Sequence, residues 1–177
     1  MSFETQVETL KASIRDVPDF PKKGIVFKDI TTLLKDAVAF RRAMDLFVVL
    51  CGDRAVDKVA AVESRGFIVG GLLADRLGVG FVPVRKPGKL PALTRRASYT
   101  LEYGTDSVEI HEDAVAPGER VLIVDDVIAT GGTALAAGSL VEGLGGKVSA
   151  YAFLVELTFL KGREKLQGRD VLSLIRY

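Results

Sequence analysis

The stretch Val121-Leu122-Ile123-Val124-Asp125-Asp126-Val127-Ile128-Ala129-Thr130-Gly131-Gly132-Thr133 constrains the fold more than any other part of the chain. Arg120–Val124 reads as a strand whose side chains are apolar on both faces. Such strands belong to parallel sheets covered by helices. Two acids end the run, and a polar glycine loop leads into a helix expected over Thr133–Leu144, stopped by Gly145-Gly146. The first turn of a helix has backbone N–H groups without partners and lies at the positive end of the macrodipole. Gly131 and Gly132 let that backbone approach an anion, with Thr130 and Thr133 adding hydroxyls. The pattern is a phosphate cradle at the carboxyl end of a strand, where open α/β sheets place their ligands. Asp125 and Asp126 suit sugar hydroxyls and a hydrated Mg²⁺. Together they describe a site for a ribose 5-phosphate.

The rest of the chain keeps the same rhythm. Lys58–Val62 and Gly80–Val84 are short apolar strands flanking a helical stretch, Phe67–Leu77, that ends at Gly78. Val148–Val155 is a further strand. Upstream, Gln6–Ile14 reads as a short amphipathic helix. Pro18 and Pro21 then impose an extended or turning segment before Ile25-Val26-Phe27. Asp36 caps a helix over Ala37–Cys51. Arg85–Ser98, with its prolines and basic residues, reads as a loop. Tyr99–Tyr103 and Ser107–Ile110 are expected to pair around Gly104. The fold class is α/β, a doubly wound, mostly parallel sheet.

Composition excludes several functions. The 24 Lys+Arg balance 23 Asp+Glu to a net charge of +1, which argues against a general nucleic-acid binder. One cysteine, Cys51, excludes a disulfide framework; one histidine, His111, excludes a multi-histidine metal centre. Cys51 is expected to be buried and His111 to lie at the surface. No apolar run is long enough to span a bilayer, and Met1-Ser2-Phe3-Glu4 does not open a signal peptide. A cytoplasmic protein is expected, with no nucleic-acid or membrane partner. Neither a Gly-x-Gly-x-x-Gly opening a helix after a strand nor a Gly-x-x-x-x-Gly-Lys-[Ser/Thr] occurs.

The segment that ends in Thr130-Gly131-Gly132-Thr133 resembles the 5-phosphoribosyl 1-diphosphate (PRPP) motif of the type I phosphoribosyltransferases. Further stretches narrow the likeness to the adenine phosphoribosyltransferases: Pro18-Asp19-Phe20-Pro21, Gly24-Ile25-Val26-Phe27-Lys28-Asp29-Ile30, Glu63-Ser64-Arg65-Gly66-Phe67, Arg85-Lys86-Pro87-Gly88-Lys89-Leu90-Pro91, Ala97–Gly104 and Leu154-Val155-Glu156-Leu157. They run in the family's order over nearly the whole chain. The resemblance implies one domain over residues 1–177, with a small N-terminal hood (about 1–35) over the base, a core (about 36–177) and a flexible lid. It implies purine salvage: transfer of the phosphoribosyl group from PRPP to N9 of adenine, giving AMP and diphosphate.

The resemblance also assigns roles. Ala129, Thr130, Gly131, Gly132 and Thr133 hold the 5′-phosphate, and Asp125 and Asp126 serve the ribose and Mg²⁺. The metal is reached through PRPP and water, with no direct protein ligand. Ser64, Arg65, Arg85, Lys86 and Lys89 face the diphosphate. The loop of Ser64 and Arg65 carries a cis peptide at Glu63–Ser64, and Arg85 comes from a neighbouring subunit, implying a homodimer. Glu102 is the acid/base at the purine, and Tyr103 shares its lid. Val26 and Phe27 take the adenine by backbone edge and ring stacking. Lys28 departs from the family's frequent arginine; it keeps the charge and loses the planar fork. A non-catalytic PRPP sensor would need an extra domain or a nucleic-acid surface, and enzymes for 6-oxopurines or orotate would need other base-reading groups.

Overall fold

The structure, a computed structural model, describes residues 1–100 and 104–177. Five parallel strands form the central sheet: β3 (Lys58–Val62), β4 (Gly80–Val84), β7 (Arg120–Ile128), β8 (Lys147–Glu156) and β9 (Val171–Arg176), in the order β4-β3-β7-β8-β9. Alternate residues feed two separate cores, as period-2 geometry requires. Val59, Ala61, Leu122, Val124 and Leu154 pack towards helices α1 (Phe3–Ala12), α3 (Ala37–Cys51) and α4 (Arg65–Leu77). Ala60, Val62, Ile123, Tyr151 and Phe153 pack towards α5 (Gly132–Gly143). The sheet is therefore doubly wound.

Two antiparallel ribbons flank it. β1 (Arg15–Pro18) pairs with β2 (Val26–Asp29), followed by the single turn α2 (Thr31–Leu34). β5 (Thr94–Thr100) pairs with β6 (Thr105–His111). Two 3-10 turns, Thr158–Leu160 and Gly162–Leu166, link β8 to β9. Among the described residues no helix is long and apolar enough to cross a membrane.

Local chemistry sets the boundaries. Asp36 caps α3 by accepting from the N–H groups of Val38 (2.9 Å) and Ala39 (3.0 Å), as expected. Ser2 caps α1 through Thr5 N–H (3.3 Å), so that helix begins before Gln6 and ends before Ile14. Cys51 is buried.

Two expectations are corrected. Arg85–Ser98 is not all loop: β5 begins at Thr94 and pairs from Thr94↔His111 to Thr100↔Thr105. Its charges are held at the ribbon surface, with Arg96 on Glu109 at 2.7 Å, which masks a strand in a charge-rich sequence. Nor does β7 stop at Val124. Its register with β8 continues through Asp125↔Phe153 to Ile128↔Glu156, so the acids lie within the strand.

Candidate active site

The chain moves from β3 out to β4, then returns to place β7 on the other side of β3. This reversal opens a crevice at the carboxyl ends of β3 and β7, the usual ligand position in such sheets. A cavity of about 1020 Å³ occupies that position. It joins the β1–β2 ribbon, the β3–α4 junction and the β7–α5 junction.

Val26, Phe27 and Lys28 line its hood side. Ile25 and Val26 are 44% and 46% exposed, which rules out ordinary core packing for this apolar triplet. Phe20 meets Phe27 edge to face, with centroids 5.3 Å apart, and the Arg65 guanidinium stands 5.9 Å from the Phe27 ring centre. Lys28 bonds Asp16 at 2.6 Å and lies 4.2 Å over the ring of Tyr177. Burial, with the Asp16 and Glu8 charges, pushes the Tyr177 phenol up to about 12.

Ser64 and Arg65 line the cavity at the start of α4, and the Glu63–Ser64 peptide is cis, as the family resemblance implied. Arg65 Nε donates to Asp126 Oδ2 at 2.5 Å. Asp126 keeps only 7% of its side chain exposed, against 46% for Arg65. Burial, then the adjacent Asp126 charge, push the Asp125 carboxyl well above the usual carboxylate range. Gly66 makes room for it: a Cβ there would fall 2.6 Å from Asp125 Oδ1.

The phosphate loop follows. Ala129 and Thr133 line the cavity; Thr130, Gly131 and Gly132 are not among its lining residues. Gly131 precedes α5 with φ +77°, the left-handed region that glycine enters freely. Gly132 lacks that requirement; it lies beneath Tyr99, where a Cβ would come 3.1 Å from Cδ2. The need for an unusual backbone conformation therefore falls on Gly131 and not on Gly132.

Of the residues assigned to the diphosphate, Ser64, Arg65 and Lys86 line the cavity; Arg85 and Lys89 do not. Arg85 Nε donates to Glu63 Oε2 at 2.6 Å and its Nη1 to Lys89 O at 3.0 Å. Lys86 N–H donates to Glu63 Oε1 at 2.9 Å, while its ammonium bonds Asp106 and, at 3.2 Å, the Tyr99 hydroxyl. The Lys86 bond holds Asp106 below the usual carboxylate range. The basic cluster is thus folded onto the protein's own acids. Glu102 and Tyr103 lie outside the described residues.

Several site residues escaped the sequence reading. Leu157, Phe159, Leu160 and Tyr177 line the cavity from the C-terminal segment, and Tyr99 from β5. Phe159 is 63% exposed, an apolar side chain facing the opening. The apolar run Val171–Ile175 carries a strand signal, but the turns before it have no period to read.

Acids among the last paired residues of a central strand, an anion-suited helix N-terminus beyond them and an apolar slot across the cleft fit a phosphoribosyl-transferring class of protein. The phosphoribosyl transferase domain family matches residues 31–170. An adenine phosphoribosyltransferase of Thermoanaerobacter pseudethanolicus is 60% identical over 171 residues, 97% of this chain and 99% of the relative. Its crystal structure superposes with a TM-score of 0.94, covering 97% of this chain and 99% of that one. The Saccharomyces cerevisiae adenine phosphoribosyltransferase, complexed with adenine and an imino-altritol bisphosphate, is 43% identical with a TM-score of 0.92, covering 97% and 99%. The Trypanosoma brucei enzyme, in complex with AMP, pyrophosphate and ribose-5-phosphate, is 27% identical with a TM-score of 0.86, covering 97% and 79%. This chain belongs to the adenine phosphoribosyltransferase family.

Proposed function

We propose that the protein transfers the 5-phosphoribosyl group of PRPP to N9 of adenine, releasing diphosphate and AMP. The observation that carries this reading is one cavity lined both by Val26 and Phe27 and by Asp125, Asp126, Ala129 and Thr133. A nucleoside monophosphate spans such a cleft with its base at one end and its phosphate at the other. Phe27 offers a ring to stack on and Val26 a backbone edge that discriminates donors from acceptors. Amides and hydroxyls of residues 129–133 take the 5′-phosphate. Asp125 and Asp126 accept from ribose hydroxyls, and Ser64, Arg65, Lys86, Arg85 and Lys89 surround the diphosphate.

The C1′–O bond to diphosphate breaks, the C1′–N9 bond forms with inversion, and the N9 proton goes to Glu102. The lid that we assign to Glu102 and Tyr103 keeps water from the ribose during the transfer. Asp125 and Asp126 line the cavity floor with carboxyl oxygens that can accept from water on a hydrated ion, so the floor fits a Mg²⁺ reached through PRPP and water. Mg²⁺, when bound through PRPP and water, neutralises charge on the leaving diphosphate. Arg85, Lys86 and Lys89 must exchange some internal partners for the ligand.

A homodimer completes the proposal. Ile68 and Leu72 on α4 and Phe81 on the edge strand β4 are exposed apolar residues, and Arg85, which does not line its own chain's cavity, would exchange its bond to Glu63 for the neighbour's diphosphate. The expected setting is purine salvage in the cytoplasm. Incubation with PRPP, Mg²⁺ and a panel of adenine, hypoxanthine, guanine and orotate tests the function: adenine alone should give a nucleotide. Turnover of a 6-oxopurine in preference to adenine would overturn it.

A further inference from the structure

The turn Gly162–Leu166 lies against the back of the phosphate loop, and the two backbones meet with no room for a side chain. A Cβ on Gly162 would fall 2.3 Å from Ala129 O, 2.9 Å from Ile128 Cγ1 and 3.0 Å from Ala129 C. The contact is reciprocal: a Cβ on Gly131 would fall 2.3 Å from Gly162 O. Both glycines are needed for the approach, and Gly131 also needs its φ of +77°.

The turn is itself held firmly. Arg163 clasps Glu156 with Nε–Oε1 at 3.0 Å and Nη2–Oε2 at 2.7 Å, and its Nη1 donates to Val171 O at 2.8 Å. Arg176 adds a bond to Glu156 at 3.2 Å, and that carboxylate is 7% exposed. A fork clamped at both nitrogens fixes orientation as well as distance. Alongside, Leu157 N–H donates to Ile128 O at 3.1 Å, tying β8 to the strand end that enters the phosphate loop.

We propose that Gly162 and Arg163 are positioning residues for the phosphate loop: the clamped turn is a buttress that fixes Ala129–Gly131, and hence the amides that follow, in an anion-ready conformation. This rests on the assignment of residues 129–133 to the 5′-phosphate. Donors held in place before the ligand arrives need no reorganisation when it binds. To reach ordinary contact at 3.4 Å, a methyl on Gly162 must open the 2.3 Å approach by about 1 Å. Ala129 O belongs to the loop backbone, so the phosphate loop moves with it.

The test is calorimetric titration of AMP and of adenosine into wild type, Gly162→Ala and Arg163→Lys, each shown to be folded by near-ultraviolet circular dichroism. Wild type should bind AMP at least tenfold more tightly than adenosine; equal affinities would refute the phosphate assignment itself. Given that gap, Gly162→Ala should lose at least tenfold in AMP affinity while adenosine stays within twofold. A role confined to stability would lower the melting temperature and leave the gap intact, which overturns the buttress. Equal losses for both ligands overturn it too. Arg163→Lys keeps the charge and loses the fork. It should weaken AMP about three- to tenfold with adenosine unchanged, and it decides the matter if Gly162→Ala does not fold: unchanged AMP affinity would then refute the proposal.

Discussion

Replacing Arg65 by methionine separates two consequences of one contact. Arg65 Nε faces an Asp126 carboxylate that is nearly out of solvent. A hydrogen bond to a charged group contributes about 1.5–3 kcal/mol. Arg65 keeps 46% of its side chain exposed, and solvent screening reduces the expected cost to roughly 1–2 kcal/mol. For a chain of this size that lowers Tm by about 2–8 °C. The loss should depend on pH, with a sign the structure sets. Asp125 has its pKa raised above the ordinary 3.8 by burial and by Asp126. A carboxyl that holds its proton more tightly folded than unfolded loses stability as pH rises from the unfolded value through the folded one. The Arg65 charge partly offsets that rise, so removing the guanidinium raises the folded Asp125 value further. The destabilisation by Arg65→Met should therefore be small near pH 4 and grow towards pH 8. Binding gives the second readout: loss of one charge-assisted bond to diphosphate weakens it roughly 10–100-fold. Thermal melts across that pH range, with diphosphate titrations at pH 8 in Mg²⁺, supply both numbers. A stability loss that is flat with pH would refute the coupling of Arg65 to the paired aspartates. Unchanged diphosphate affinity would remove Arg65 from the anion site.

Glu102→Gln should lower kcat by about 10²–10⁴ where chemistry limits the rate, with PRPP affinity little changed; an unaltered kcat in pre-steady-state assays would exclude Glu102 as acid/base. Arg85→Ala chains mixed with Asp125→Ala/Asp126→Ala chains should regain activity, because one site of each mixed dimer carries neither defect. No recovery in heterodimers verified by mass would assign Arg85 to its own chain's site or to none.

What the sequence disclosed divides along physical lines. The buried strands were legible because residues such as Val59–Val62 and Val121–Val124 are apolar on both faces, and only a covered parallel sheet accommodates that. α3 was legible to its ends because Asp36 caps it and Gly52 follows it. The start of β5, Thr94–Ser98, was hidden because Arg95 and Arg96 find their partners, Glu112 and Glu109, across a strand pair or just beyond it, and local composition does not carry that information. The phosphate loop announced itself through adjacent glycines at a strand–helix junction. The support behind it did not: Gly162 contacts Ala129 from 33 positions further along the chain, and a lone glycine in a polar turn signals only flexibility. The internal pairing of Lys86 with Asp106 was likewise set by the β5–β6 ribbon, which brings Tyr99 opposite Asp106.

The central claim is that one cleft takes base and phosphate at opposite ends, and a crystal structure of the protein with AMP tests it most directly. The phosphate oxygens should lie within about 3.2 Å of backbone amides in residues 130–133. The adenine ring should lie against Phe27, with its edge on the backbone of Val26. A phosphate bound instead among Arg85, Lys86 and Lys89, or a base resting away from Phe27, would contradict the account.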